Sequence, residues 1–415
     1  MKKIHPYRLY LIMTFISQVL FSLIFTVNLL YHVNNAKLNP LQLVLVGTVL
    51  EISVFLFEIP TGIIADTKSR KLSIIIGYSL MGTGFIIEGF FPFFLAIVIS
   101  QLFFGIGYTF ISGATEAWII DELGEEQTGN VFVKGAQLGQ IGEFAAIPIS
   151  ILIGLSHLNL PIIIGGAGMI ILSMFLTFVM PENGFKPATC EKNSKWKDMF
   201  DTIRNTKECI KLNKLFLLLL AVGFIYGLYS EGFDRLWTAH LVKDFDSFLI
   251  KNVNSVLSIG AIRGVSILLS IIGLGILNKK LDFKETTLTV KVLVINASIT
   301  ILSLLGFGLT KNIYVSLLLF WIIGIMRSIT SPLLDTMLSN TITDNSIRAT
   351  IFSMRGQVDS IGQIIGGPIV GFFGVLFSIR AALIISAFLL SPVILIYKKA
   401  FYNFKKLAIC SDSNS

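Results

Sequence analysis

Long apolar runs broken by short polar punctuation dominate the chain, and each run is close to the ~20 residues a helix needs to cross ~30 Å of hydrocarbon. The pattern predicts spans near 9–32, 41–64, 72–91, 93–120, 131–156 and 160–180, then near 214–240, 252–277, 288–310, 312–338, 349–377 and 380–397. The fold class that follows is an all-α integral membrane protein of 12 transmembrane helices in two pseudo-symmetric six-helix bundles. The first bundle takes 1–180 and the second 214–400, with a charged linker at 181–213 and a tail at 401–415. The linker is too polar for the bilayer and has room for one amphipathic helix around Trp196 to Ile210.

Composition agrees: 54% of residues are apolar and 14% charged, against roughly 25% charged in soluble proteins. A soluble enzyme is excluded, and with no GxxxxGK[ST] stretch the chain holds no nucleotide-cradling P-loop. Work by such a chain is driven by gradients, and no cofactor is expected.

The net charge of +8 is a topology signal. Basic residues gather at one membrane face, in the termini, the linker and the loops carrying Lys68, Arg70, Lys71, Lys134, Lys279, Lys280 and Lys284. Lys37, Lys243, Lys251, Lys311 and Arg380 stand at the other face. The positive-inside rule makes the termini and linker cytoplasmic, as in a multi-pass protein of a bacterial plasma membrane. This asymmetry accounts for the charge excess, so nucleic acid is not an expected partner. Cys190, Cys209 and Cys410 all fall on the cytoplasmic side, where thiols stay reduced, and no disulfide or metal site is expected.

The two halves repeat. Phe132, Gln137, Ile141, Gly142, Pro148, Ile149 and Gly154 recur 220 positions on, and Gly105, Ser112 and Glu116 meet Gly324, Ser331 and Asp335 at a shift of 219. Duplicated six-helix halves around a central cavity are one architecture of secondary transporters, which rock one half against the other.

An Asp, Lys or Arg at the centre of a span costs at least about 2.5–3.5 kcal/mol on insertion scales, so each ionisable residue there needs a reason. The spans hold nine acids (Glu51, Glu58, Glu88, Glu116, Glu143, Glu231, Asp234, Asp335 and Asp359) and four bases (Arg235, Arg263, Arg327 and Arg355). Internal pairing cannot neutralise every carboxylate. An acid in low dielectric holds its proton more tightly and can carry it from one side to the other. Glu51 and Glu58, seven apart, share one helix face about two turns or ~10.5 Å apart. Glu51, Glu143 and Asp359 fall near mid-membrane and are the best proton or cation sites. Arg355 and Asp359 stand four apart, the spacing of a helical ion pair, as do Glu231 and Arg235. Asp234 and Trp237 next to the latter pair keep a ligand role open, and Arg263 and Arg327 can complement acids or bind an anionic group. A candidate substrate cavity therefore draws on Gln137, Asp234, Arg235, Trp237, Arg263, Arg327 and Asp335. Glu88, at the outer end of the third span, reads as solvated.

Between spans two and three the chain reads EIPTGIIADTKSRK from Glu58 to Lys71. Gly62, Asp66, Arg70 and Lys71 match G-x-x-x-D-x-x-x-R-[KR], and the chain thereby resembles the major facilitator superfamily. The counterpart Gly275 to Lys284 keeps the Gly and the final Lys only. In this motif Gly62 allows close helix approach, Asp66 caps a helix or pairs with a base, and Arg70 can reach Asp121 and Glu122 at the end of span four. These residues, with Lys71, Glu116 and Arg355, form the expected charge latch.

FEIPTGIIADTKSRK and GYTFISGATEAWIIDELG together resemble the drug:proton antiporter branch of bacterial macrolide and tetracycline exporters. Glu51, Glu58 and Glu88 resemble the membrane glutamates of the clostridial P-class tetracycline efflux proteins, which implies a transport role for each and conflicts with the solvated reading of Glu88. Two signatures depart: Gln101 stands where the branch has Arg, four before Gly105, and Ile147 and Glu143 replace glycines around Pro148. Proton coupling would then rest on the chain's own carboxylates: Glu51, Glu58, Glu143, Asp359 and Glu88.

The expectation is a monomeric secondary transporter, embedded among membrane lipids, that exports a small amphipathic drug in exchange for protons by alternating access. By resemblance the favoured cargo is tetracycline as its metal chelate, with any divalent metal part of the substrate. The alternatives are export of macrolides, siderophores or lipid-like metabolites, nutrient uptake, and a non-transporting receptor or scaffold.

Overall fold

A computed structural model of the protein describes residues 3–187, 214–243, 255–280, 286–341, 345–399 and 401. The expected helix at 196–210, the three cysteines, Lys251, Lys284, most of the linker and most of the tail lie outside the described residues. Among those described, every regular element is a helix, and 12 stretches are long and apolar enough to cross a membrane.

The first six spans are built from eight helices: α1 (Pro6–Phe25), α2 (Asn28–Asn34), α3 (Pro40–Thr67), α4 (Arg70–Phe90), α5 (Phe94–Ile111), α6 (Ala114–Leu123), α7 (Glu125–Gly154) and α8 (Leu160–Val179). The last six are α9 (Lys214–Lys243), α10 (Ser255–Lys280), α11 (Thr286–Leu309), α12 (Ile313–Thr341), α13 (Asn345–Leu376) and α14 (Ile379–Leu390), the last being part of a span that reaches Lys399.

Local chemistry sets the helix starts. Asn39 and Gln42 form a reciprocal capping box with Pro40 in the first turn of α3, and Ser69 and Ser378 cap α4 and α14. The same chemistry breaks two spans that hydropathy reads as continuous. At Gly113 the backbone takes φ 73°, open mainly to glycine, and the chain turns between α5 and α6. Between α1 and α2 the Thr26 hydroxyl donates to Ser22 O at 2.6 Å, and the Val27 amide bonds Ile24 O in a tighter turn.

Two compact units emerge, one of Met1–Glu191 with Asp246–Gly264 and one of Lys192–Phe245 with Val265–Ser415. Helix α10 is therefore shared, its first turns grouping with unit 1. Within unit 1, α1 packs on α7 and α8, α4 on α5 and α8, and α3 on α5. In unit 2, α9 packs on α13 and α14, and α11 on α12 and α14. Counted in spans, one–five, one–six, three–four and three–six of unit 1 recur as seven–eleven, seven–twelve, nine–ten and nine–twelve of unit 2. The packing thus repeats along with the residues.

Small residues allow the closest crossings. A Cβ on Gly77 of α4 would meet Gly107 O of α5 at 2.6 Å, and one on Gly107 would meet Gly77 O at 2.7 Å. Large apolar side chains such as Leu152, Ile171, Leu302 and Leu395 face outward, as expected where lipid rather than water is the solvent.

Candidate functional site

Unit 2 carries a half-open cavity of about 220 Å³ whose polar lining comes mainly from α9, α12 and α13. Helix α9 contributes Gly223, Tyr226, Tyr229, Ser230 and Asp234, a stripe at helical spacing that presents one polar face. Facing it, Arg327 gives both terminal nitrogens to the two oxygens of Asp234, one of them at 2.7 Å. The guanidinium also lies over the Phe233 and Tyr229 rings, at 5.3 and 5.9 Å. Arg355 of α13 pairs with Asp335, which is outside the lining. Asp359 receives a hydrogen bond from Gln363 Nε2 at 2.8 Å. Among the described residues Asp359 has no basic side chain within ion-pair distance, so each cavity arginine has its own acid and one carboxylate is left over.

This arrangement corrects two expectations. Arg355 and Asp359 do not pair, because the guanidinium is taken by Asp335 of α12; Arg355 belongs to the cavity rather than to the motif latch. Of the expected cavity residues, only Asp234 and Arg327 line it. Arg235 turns to Glu231 at 2.8 Å, Trp237 packs on Phe320 with ring centroids 4.7 Å apart, and Gln137 is an exposed residue of unit 1. Arg263, on the turns of α10 that group with unit 1, lies 4.0 Å from Glu143. Tyr226, Tyr229, Ser230 and Gln363 escaped the sequence reading, although the α9 stripe was visible in their spacing.

In unit 1 the motif folds into a local latch. Arg70 Nε donates to Asp121 at 2.5 Å and its Nη1 to Asp66 at 3.1 Å. Glu122 does not meet Arg70; it accepts the backbone amides of Asn183 and Gly184. Glu182, not singled out beforehand, accepts from the Ser69 hydroxyl and the Lys71 amide, while Lys71 Nζ donates to Thr177 O and Met180 O. Trp118 Nε1 adds a bond to Pro181 O at 2.8 Å. The start of the linker, read as solvated, is thus strapped onto the latch. Gly62 is not at a close crossing, since a Cβ there would meet nothing within 4 Å.

Glu51 is half-buried on α3 and Glu58 exposed, and both lie near enough to the Tyr108 phenol for their charges to act on it, as does Glu116 just past the break at Gly113. These three acids therefore share one region of unit 1.

Glu88 is fully buried rather than solvated. Its Oε1 accepts from Asn28 Nδ2 at 2.5 Å and lies 2.7 Å from His32 Nε2, and its Oε2 accepts from Ser100 Oγ at 2.8 Å and Gln101 Nε2 at 3.4 Å. The Tyr31 hydroxyl donates to the Glu88 carbonyl at 2.6 Å. The break at 26–27 starts α2, which carries Asn28, Tyr31 and His32 to this acid; Gln101, where the antiporter branch has Arg, serves the same carboxylate. His32 was missed because only Asp, Glu, Lys and Arg were weighed within the spans.

Comparison with known proteins identifies the family and the fold. The family model described as Major Facilitator Superfamily matches residues 10–342. An uncharacterized MFS-type transporter, YxaM of Bacillus subtilis (strain 168), is 27% identical over 374 residues, covering 86% of each chain. Among solved structures, the nucleoside transporter NupG aligns with TM-score 0.72 at 17% identity, over 96% of this chain and 99% of that one. A bacterial homolog of the human lysosomal transporter Spinster, inward-facing and unoccupied, aligns with TM-score 0.73 at 13% identity, over 97% of each. Peptide transporter POT in complex with sulfate gives 0.72 at 12%, over 97% of this chain and 94% of that one. At these identities the structures speak to the fold alone.

Proposed function

Because the chain belongs to the Major Facilitator Superfamily, and so is a membrane transporter rather than an enzyme, we propose that it exports a small amphipathic, partly cationic solute in exchange for protons. The observation that carries this reading is the unbalanced carboxylate of Asp359. In a cavity with one more carboxylate than guanidinium, an acid with no directly paired base favours either a proton or a cationic group, and the two compete for one site. Competition of that kind is antiport: the cation displaces the proton from one side of the membrane, and the proton displaces the cation from the other, as the two units alternate access. Tyr226, which is only part-buried in the lining, offers its ring to a cation or to an aromatic body, and the Asp234–Arg327 pair offers donors and acceptors to polar groups.

Tetracycline as its metal chelate is the favoured cargo, on the resemblance of Glu51, Glu58 and Glu88 to the glutamates of tetracycline exporters. The metal would enter as part of the substrate, and no resident cofactor is needed. The protein would act as a monomer in a bacterial plasma membrane with termini and linker in the cytoplasm, and the region around Glu51, Glu58 and Glu116 would form an anionic approach for cations in unit 1. A second reading, proton-coupled uptake of a small polar solute, takes its support from the modest cavity volume of about 220 Å³.

Proton movement in inverted vesicles with an acid interior tests both. Tetracycline with divalent metal, or another cationic drug, should dissipate the gradient in wild type and not in Asp359→Asn. Dissipation only when a neutral polar solute is loaded inside the vesicles would favour uptake, and dissipation by added drug that persists in Asp359→Asn would refute the role given to that carboxylate.

A further inference from the structure

The exchange proposed at Asp359 makes no use of the buried Glu88 cluster in unit 1, and the protons of that cluster can be counted. Both Glu88 oxygens already accept hydrogen bonds: Asn28 and His32 serve Oε1, Ser100 and Gln101 serve Oε2. With the imidazole hydrogen on Nε2, a proton placed on the carboxylate would displace one of these donors. A proton placed on His32 displaces none, because His32 Nδ1 is buried and has no hydrogen-bond partner among the described residues, while Nε2 keeps its bond to Glu88.

The charge balance points the same way. With a neutral imidazole the cluster holds one buried negative charge and no positive one. With an imidazolium it becomes a 2.7 Å ion pair with no net charge, the arrangement that low dielectric tolerates best. The groups facing the pair are known element by element. Helix α2 supplies Asn28 and Tyr31, α4 supplies Glu88 itself, α5 supplies the neutral Ser100 and Gln101, and the Leu38 amide bonds the His32 carbonyl at 3.1 Å. Among the described residues no Lys or Arg lies within ion-pair distance of either partner.

We propose that His32 and Glu88 form a proton-binding site at the end of unit 1 opposite the Arg70 latch, in which one proton taken up at His32 Nδ1 creates an ion pair that fastens α2 to α4 and α5. The broken first span gives the site mechanical meaning: α2 is a short helix after a turn, and its attachment to α4 runs through Asn28, Tyr31 and His32. Proton occupancy then sets how firmly this end of the bundle is closed. Proton binding itself does not depend on the drug-export reading; only its use in coupling rests on that reading.

The test needs no substrate. The full-length protein, reconstituted in lipid nanodiscs with ¹⁵N-labelled histidine, has only four histidines (His5, His32, His157 and His240) to assign. His32→Gln identifies the resonances, and if that variant does not fold, His5→Gln, His157→Gln and His240→Gln assign them by elimination. The expected result is that both His32 ring nitrogens become protonated as pH falls while the protein stays folded, and that Glu88→Gln abolishes this uptake over the same range. Thermal unfolding should show a pH-dependent step in wild type that is missing from His32→Gln. A His32 ring with a single protonated nitrogen throughout the folded range would overturn the proposal, as would an identical uptake in Glu88→Gln. Failure of every drug to move protons, with His32 titrating as described, would sink the export reading and leave this site standing.

Discussion

Replacing Asp234 by Asn tests the charge accounting of the cavity more sharply than removing Asp359. In wild type the acids in and beside the cavity, among the described residues, are Asp234, Asp335 and Asp359, and the bases are Arg327 and Arg355, so one negative charge is in excess. Asp234→Asn cancels it and frees Arg327, which lines the same cavity as Asp359. At an effective dielectric of about 20, two unit charges ~4 Å apart interact by about 4 kcal/mol. The Arg327 and Asp234 side chains are 29% and 44% exposed, so solvent screening reduces the loss to about 1–2 kcal/mol, a bidentate pair lying above the usual surface value. Stability should therefore fall by about that amount. Cation binding should fall about tenfold or more, one factor of ten for each 1.4 kcal/mol. Adding Arg327→Gln restores the excess charge, and affinity should return to within about threefold of wild type, giving a coupling energy of about 1 kcal/mol or more in the double-mutant cycle. Equilibrium binding of a cationic fluorescent drug to purified protein, with size-exclusion profiles to verify folding, supplies all four corners. Normal affinity in Asp234→Asn, or a double variant no better than the single, would refute the reasoning.

Three further substitutions probe the frame around the site. Gly77→Val should lower stability by about 1–3 kcal/mol or more through overpacking against Gly107, whereas Gly62→Ala, where a Cβ meets nothing within 4 Å, should leave the melting temperature unchanged; equal effects would contradict the helix crossings described. Glu182→Ala removes the acceptor of the Ser69 hydroxyl and the Lys71 amide and should cost about 1–3 kcal/mol in thermal unfolding, with little effect if the strap does not hold the latch. Arg70→Gln breaks the pairs to Asp66 and Asp121 together, and Asp121→Asn should reproduce most of its loss of stability and transport if Asp121 is the principal partner.

The spans were legible because hydropathy over some 20 residues is a strong signal, and the internal repeat because Pro148 and Pro368, with their neighbours, keep one spacing. What a hydropathy window averages away is a turn of two residues. The breaks at 26–27 and 112–113 were therefore invisible, although Ser112-Gly113 within an apolar run is the local signal for one of them. Inventory also succeeded where pairing failed. Nine acids and four bases were countable, but Arg355 meets Asp335, twenty positions earlier, instead of Asp359 at the ideal helical spacing, because the contact is decided between helices. Glu88 shows the same limit from another side: nearness to a span end suggested water, and only the packing of α2, α4 and α5 shows the acid buried among five polar side chains. His32 lay in plain view on the first span, yet a histidine in an apolar run gains significance only from what it faces.

The central claim is that a cation and a proton compete for one carboxylate, and its most direct test is proton release on binding. Purified protein in weakly buffered detergent solution is mixed with a permanently cationic drug while a pH indicator reports released protons. Proton release should saturate together with drug binding and disappear in Asp359→Asn; drug binding at full affinity with no proton released at any pH would rule the competition out.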